Sequence, residues 1–401
     1  MDRTDGLEKV VLPKFSLAER DRRWKAVRQA MSDKGIDCLV VTGSTEKWDH
    51  FFADVRYLSH IGGNCTQAFV IFPLQEEPTC IIREKVRADF WIMAQDWVKD
   101  IRDSSYCHWG DAIVNRLKEL KLEKGTIGIT GLRALRAPEG FLPSETHRKI
   151  VEAFPQSKLV SASNLVADVR RIKSSEEIAF MKKAGEVLDA GLEAMVKAAR
   201  SGVREYEIYA DLVHGMMRAG GDYLTMLYWK SGKAPYRTEH IPTHKILERG
   251  DVIINELDGR YCGYFVQAIH PISVGPPPKD YAEMFKLSVE AFNRMVEAMK
   301  PGVIFGRLWE VFEKTVEGSP YQARHPSFHG VGLGEDEPMD LGDEKWRGVV
   351  VEEGMTMMLQ PTPVHYPDGK MRRVGTGESV FVTKNGAERF TKRKLEFPVV
   401  T

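Results

Sequence analysis

The chain has 401 residues, 43% of them hydrophobic, with 57 basic and 57 acidic residues and a formal net charge of +0. That length allows two domains with sizeable cores, and the balanced charge removes the electrostatic case for a nucleic-acid or anionic-membrane partner. The amino terminus, Met1-Asp2-Arg3-Thr4-Asp5-Gly6, is polar, no apolar run is long enough to span a bilayer, and Cys38, Cys65, Cys80, Cys107 and Cys262 form no C-x-x-C pair, so a cytoplasmic protein with reduced thiols is expected.

Ser16-Leu17-Ala18-Glu19 has the form of a capping box and predicts an amphipathic helix ending near Gly35. Ile36 to Val41 follows as a buried strand. Gln67 to Pro73 and Pro78 to Ile82 read as a strand pair around a short polar turn. Helical and strand patterns then alternate through Thr126-Ile127-Gly128-Ile129, which argues an α/β amino-terminal domain. A boundary falls between Leu165 and Ser175. Ser174-Ser175-Glu176-Glu177 caps a long helix with apolar positions at Ile178, Met181, Ala184 and Leu188. A second helix and a run of strands come next, then helices around Tyr281–Met299 and Ile304–Glu317, with strands returning from Gly348 onward. The order is thus helix pair, strands, helix pair, strands.

Four separated segments carry the chemistry: Gly250-Asp251-Val252-Ile253-Ile254-Asn255-Glu256 with Gly263-Tyr264-Phe265-Val266-Gln267; Phe328-His329-Gly330-Val331-Gly332-Leu333; Glu353-Gly354-Met355 with Leu359-Gln360-Pro361; and Thr376-Gly377-Glu378-Ser379 with Val382-Thr383 and Asn385-Gly386. In order and spacing they resemble the M24, or pita-bread, family of methionine aminopeptidase, aminopeptidase P, prolidase and creatinase. Val169 to Lys173 resembles that family's hinge, and Asp54-Val55-Arg56-Tyr57-Leu58-Ser59-His60-Ile61-Gly62 resembles, more weakly, an Asn-x-x-Tyr-Leu-Thr-Gly segment of the creatinase-type amino domain. The resemblance implies a creatinase-type α/β domain over residues 1–167 followed by an α+β pita-bread domain over 168–401. It also implies a homodimer whose pockets are completed by Arg56 and His60 of the amino domain.

In the peptidases of this family the four segments supply Asp, Asp, His, Glu and Glu to two metal ions. Carried over residue by residue, those positions fall on Glu256, Gln267, His329, Gln360 and Gly377. A neutral amide bridges dications poorly and glycine offers no side chain, so Glu256 and His329 fall short of the three protein ligands usual at a catalytic zinc. The resemblance therefore leads us to expect no metal and no cofactor.

His240, in Thr238-Glu239-His240-Ile241-Pro242, resembles the His-x-Pro segment that serves creatinase as general acid and base, an imidazole being suited to that shuttle near neutrality. His244 is its rival on the same loop, and a surface histidine is the plain alternative. His329 lies in a glycine-rich turn that lets backbone approach a ligand, and could equally be a satisfied buried histidine. Glu256 follows an apolar strand and is a candidate base or anchor, or half of a structural ion pair. Gln267 and Gln360 keep polarity while losing charge, and can donate as well as accept. Tyr228, Trp229, Arg237, His270 and Arg373 complete the expected substrate-binding set, with Lys230 and Arg372 nearby. Because acids are lost and bases kept, the substrate should be neutral or anionic. Creatine itself fits poorly: where creatinase has guanidinium-binding glutamates, this chain has Gln360 and Ile269.

The expected function is metal-independent, His-based hydrolysis of a C–N bond in a small metabolite, or a related lyase cleavage. The alternatives are an Xaa-Pro metallopeptidase with altered ligands and a non-catalytic ligand-binding protein.

Overall fold

The computed structural model describes residues 10–63, 67–236, 240–340 and 344–401. Ser16 starts the first helix, accepting the Glu19 amide N–H on its hydroxyl, while the Glu19 carboxylate is gripped by Arg22 and Arg23. The chain divides into units of residues 1–170 and 171–401. The division follows residue 170 rather than 167 because a short helix, Leu165–Arg170, belongs to the first unit: it buries Leu165 and Val166, and Arg170 Nε lies 3.1 Å from Asp54.

The first unit contains helices α1 (Leu17–Asp33), α2 (Ala53–Ser59), α3 (Lys85–Ala94), α4 (Trp109–Glu119), α5 (Ser144–Ala153) and α6 (Leu165–Arg170). Its strands are β1 (Cys38–Ser44), β2 (Gln67–Pro73), β3 (Thr79–Ile82), β4 (Asp100–Asp103), β5 (Thr126–Ile129) and β6 (Lys158–Ser161), in the order β4-β3-β2-β1-β5-β6. β1 runs antiparallel to β2 and parallel to β5. All of β1 is buried, which is why its first four residues, Cys38 to Val41, form a continuous apolar run rather than an alternation. Val40, Phe69, Ile71 and Ile81 of the sheet share a core with Ile113 and Leu117 of α4 and Ile150 of α5.

The second unit begins with α7 (Ser175–Ala198), closed by a full capping box between Ser174 and Glu177, then α8 (Glu205–Arg218). Strands β7 (Leu227–Gly232), β8 (Val252–Tyr261), β9 (Tyr264–Ile269) and β10 (Ile272–Val274) follow, then α9 (Lys279–Ala298) and α10 (Phe305–Val316). The remaining strands are β11 (Phe328–Gly330), β12 (Asp336–Met339), β13 (Thr356–Leu359), β14 (Val364–His365), β15 (Arg372–Arg373), β16 (Gly377–Thr383), β17 (Gly386–Arg389) and β18 (Val399–Val400). Ten of these strands form one sheet, ordered β12-β11-β13-β16-β9-β8-β10-β18, with β7 on β8 and β17 on β16. Strands thus return well before Gly348. The glycine-rich segment at His329 is a strand paired with both β12 and β13, not a free turn.

Strand alternation divides this sheet into two populations of side chains. Met357, Leu359, Val380 and Val382 pack with Phe292, Phe305 and Phe312 of α9 and α10. Gly259 lets α7 approach β8: a Cβ there would stand 2.5 Å from the Leu188 Cβ and 2.8 Å from the Ala184 carbonyl oxygen. We predict that Gly259→Ala destabilises the protein by about 1–3 kcal/mol, because backbone must move to admit it. A urea midpoint equal to wild type would refute that packing.

Candidate functional site

The side chains on the sheet's other face form the candidate site. Directly paired residues share a face, and so do residues two apart on one strand. In β8 and β9, Asp258 stands opposite Gln267, so Glu256, Asp258, Gln267 and Ile269 lie on one face. Ile269 is paired with Gly377, Met358 with Ser379, and Met358 with His329. Across β8, β9, β16, β13 and β11 these pairings make one strip carrying Glu256, Gln267, Ile269, Gly377, Met358, Gln360 and His329. The side chains close over Gly377: a Cβ there would be 2.6 Å from Met358 Cε and 3.1 Å from both Gln360 Cβ and Ile269 Cδ1.

The strip is almost wholly shut from solvent, with Gln267 at 0%, His329 at 1%, Gln360 at 6% and Glu256 at 8% exposure. His329 Nδ1 is 3.0 Å from its neighbour's carbonyl oxygen, that of Gly330. A carbonyl can only accept, so Nδ1 carries the hydrogen, and Nε2 is the nitrogen left to exchange a proton. The main chain of Gln267 is held by Ser379, whose hydroxyl accepts its N–H at 2.8 Å and donates to its carbonyl at 3.3 Å. Among the described residues, no group of three or more His, Cys, Asp or Glu side chains is placed to hold a metal ion.

The other expected site residues are distributed differently. Tyr228 is half-buried and paired with Glu256, and Lys230 shares that face but is exposed. Trp229 is buried on the opposite, helix-covered face, paired with Asn255, whose amide points at the Met195 sulfur of α7. His270 lies on that same side, its Nδ1 2.6 Å from Arg393 Nη1. Burial, and then the charge of Arg393, hold its pKa well below the ordinary imidazole value. His240 is exposed, and its main chain bridges Trp229 rather than Tyr228. His244 is exposed against the Tyr206 ring of α8. Arg373 is half-buried on β15, beside Arg372, which pairs with Asp280 at 2.7 Å. Arg237 lies outside the described residues.

In the first unit, Arg56 pairs with Asp49 at 2.6 Å, and its guanidinium lies so near Gly62 that a Cβ there would stand 1.9 Å from Nη1. His60, at φ 60°, sits edge-on to Phe15 and Trp97, each 5.4 Å away. Burial, then the charges of Arg23 and Arg56, lower its pKa to about 3.

Residues that sequence reasoning missed are Met358, which fills the space over Gly377, and Ser379, which fixes Gln267. The glycine at 377 was the only signal in the sequence, since a missing side chain leaves room that something must fill.

The fold agrees with what the chain is similar to. Residues 179–384 match the model of metallopeptidase family M24, and residues 23–172 match the creatinase/prolidase amino-terminal domain. An Xaa-Pro dipeptidase of Pyrococcus furiosus is 28% identical over 287 residues, covering 70% of this chain and 78% of that protein. A creatinase from a Bacillus species is 23% identical over 414 residues, covering 97% and 94%. Among solved structures, a prolidase from Thermococcus sibiricus aligns with a TM-score of 0.77 at 19% identity, over 97% of this chain and 100% of that one. An X-Pro aminopeptidase from Thermotoga maritima gives 0.76 at 22% identity, over 94% and 99%. The chain belongs to metallopeptidase family M24, with a creatinase-type amino-terminal domain ahead of a pita-bread domain. It is thus a hydrolase related to the prolidases and creatinase.

Two predictions follow from these contacts. Gly377→Ala should destabilise the protein by about 1–3 kcal/mol through overpacking, and combining it with Met358→Ala should recover part of the loss. Strict additivity in a double-mutant cycle would show that Met358 does not crowd that position. The second concerns pH. His60 has a folded pKa of about 3, against about 6.5 when unfolded. Its contribution is therefore complete above about pH 6.5 and declines as pH falls toward 3, because only the unfolded chain takes up the proton. The slope is at most about 1.4 kcal/mol per pH unit. His60→Asn keeps a residue tolerant of positive φ and should narrow the gap in melting temperature between pH 7 and pH 5; an unchanged gap counts against the assignment.

Proposed function

We propose that the chain hydrolyses a C–N bond in a small neutral or anionic molecule without a catalytic metal, acting as a cytoplasmic homodimer. The observation that carries this reading is the make-up of the strip. At the positions that the resemblance matches to the five metal ligands of the family's peptidases, this chain has one carboxylate, one imidazole, two amides and a glycine crowded by Met358 and Ile269. That donor set does not fit a pair of divalent ions, which need several anionic oxygens to hold and bridge them.

In the proposed chemistry, His329 Nε2 takes a proton from a water whose oxygen bonds to the carbon of the scissile C–N bond. The same proton then passes to the departing nitrogen as that bond breaks. Glu256, at the far end of the strip, orients the substrate and offsets the imidazolium charge. The shuttle is assigned to His329 rather than His240 because His240 is exposed and its main chain pairs with Trp229, whose ring belongs to the helix-covered face. Tyr228 and Arg373 are the candidate substrate contacts at the edge of the strip.

The rival reading is an Xaa-Pro metallopeptidase with an altered ligand set, favoured by the match to an Xaa-Pro dipeptidase. Elemental analysis of protein purified without chelator separates the two. Well under one equivalent of Mn, Fe, Co or Zn, with turnover surviving EDTA, is the expected result. Stoichiometric metal would remove the proposal. His329→Ala and Glu256→Gln should each lower kcat by roughly 10²–10⁴-fold, whereas His240→Ala stays within about tenfold of wild type. Wild-type rates in both of the first two variants would move the chemistry elsewhere.

A further inference from the structure

Gln267 carries a polar group that nothing within the described structure explains. Its side chain is fully buried, and neither Oε1 nor Nε2 has a hydrogen-bond partner among the described residues. The strand is not loose there, because Ser379 secures both the N–H and the carbonyl of the same residue. Its cross-strand neighbour offers no relief. The Asp258 carboxylate is taken up by the Thr225 hydroxyl, the Met226 N–H and the Arg260 guanidinium. Farther along the same strip, the ends of Ile269 and Met358 crowd Gly377. The result is an unpaired donor and an unpaired acceptor, among the described residues, on the side chain of a residue whose main chain is firmly held. Buried amides are paired in nearly every folded protein, so an orphan in a candidate site points to a ligand that pairs it.

We infer that Gln267 reads a planar amide or ureido group of the substrate through two parallel hydrogen bonds. Its Nε2–H donates to the ligand's carbonyl oxygen and its Oε1 accepts a ligand N–H. This pairing demands a carbonyl and an N–H on the same edge of the ligand. Primary carboxamides, ureido groups and cis-lactams present that edge. A trans peptide bond puts the two groups on opposite edges, and a bond to proline nitrogen has no N–H at all. The substrate class is therefore a carboxamide or ureido compound rather than an Xaa-Pro dipeptide. The inference rests on the C–N hydrolase reading for taking this strip as the substrate cleft.

Calorimetry on the full-length wild-type chain with N-carbamoylglycine and with N-methoxycarbonylglycine tests it. The second probe keeps the shape but replaces the terminal amide nitrogen's donors with a methoxy oxygen. Preference for the ureido probe by about tenfold or more is expected, since the analogue leaves a buried acceptor unpaired. Gln267→Met, similar in length but without donor or acceptor, should abolish the preference while leaving the far-ultraviolet circular dichroism spectrum unchanged. Equal affinity of the wild type for the two probes, or binding of neither, overturns the inference, and so does a preference that survives Gln267→Met. So does a crystal soaked with N-carbamoylglycine in which only water occupies the Gln267 amide. The two readings fail separately. Selective binding without turnover removes the hydrolase proposal and leaves this one, whereas turnover of ureido compounds without Gln267-dependent selectivity does the reverse.

Discussion

The period of two along a β-strand is the constraint on which the second unit depends. Pairing of β8 with β9, and through β16 and β13 to β11, assigns each side chain to one of two faces. A shift of one residue in any of these pairings would send Gln267 into the helices and Ala268 into the strip. The helix side holds the register in place. Gly259 admits α7 at close range, and Met357, Leu359, Val380 and Val382 interlock with α9 and α10. Packing on one face therefore positions the polar groups on the other. This explains how residues spread from Glu256 to Gly377 come to lie on one face although no short motif contains them.

The polar strip is costly in isolation. An unpaired buried amide costs about 1–3 kcal/mol for each group left without a partner, and the protein does not reduce that cost by rotating Gln267 toward Asp258, which is already committed to Arg260 and Thr225. Around Gly377 the space is taken by Met358, Ile269 and the Gln360 Cβ. Met358 is well suited to that role because its flexible thioether adapts to an irregular gap. Any side chain introduced at Gly377 would have to displace these groups.

The first unit handles its ionisable groups by a different principle. Arg23 is buried within cation–π distance of Phe15, Tyr57 and Trp97 and is paired to Glu19, and His60 is kept neutral beside the same rings. Charge is enclosed by aromatic faces and a single carboxylate, so the guanidinium of this cluster is compensated within the unit. On the strip of the second unit, by contrast, Gln267 is left unsatisfied.

The sequence by itself determined much of the architecture. Periodicity located the helices and the capping box at Ser174 fixed the start of α7, signals that are local in the chain. Glu256, Gln267, His329, Gln360 and Gly377 were grouped by the resemblance of four separated segments to the M24 family, and strand pairing puts them on one face of the sheet. The direction of individual side chains was decided by tertiary structure alone. Trp229 and Tyr228 are adjacent in sequence and equally polar at one end, yet register sends one to the helices and the other to Glu256. His270 and His240 were plausible as imidazoles, but the partner across each strand settles which face an imidazole sees. The neutrality of His60, the crowding over Gly377 and the unpaired amide of Gln267 arise from residues brought together across the sheet or the core. Their chemistry is set by what stands opposite them, which spacing along the chain does not encode.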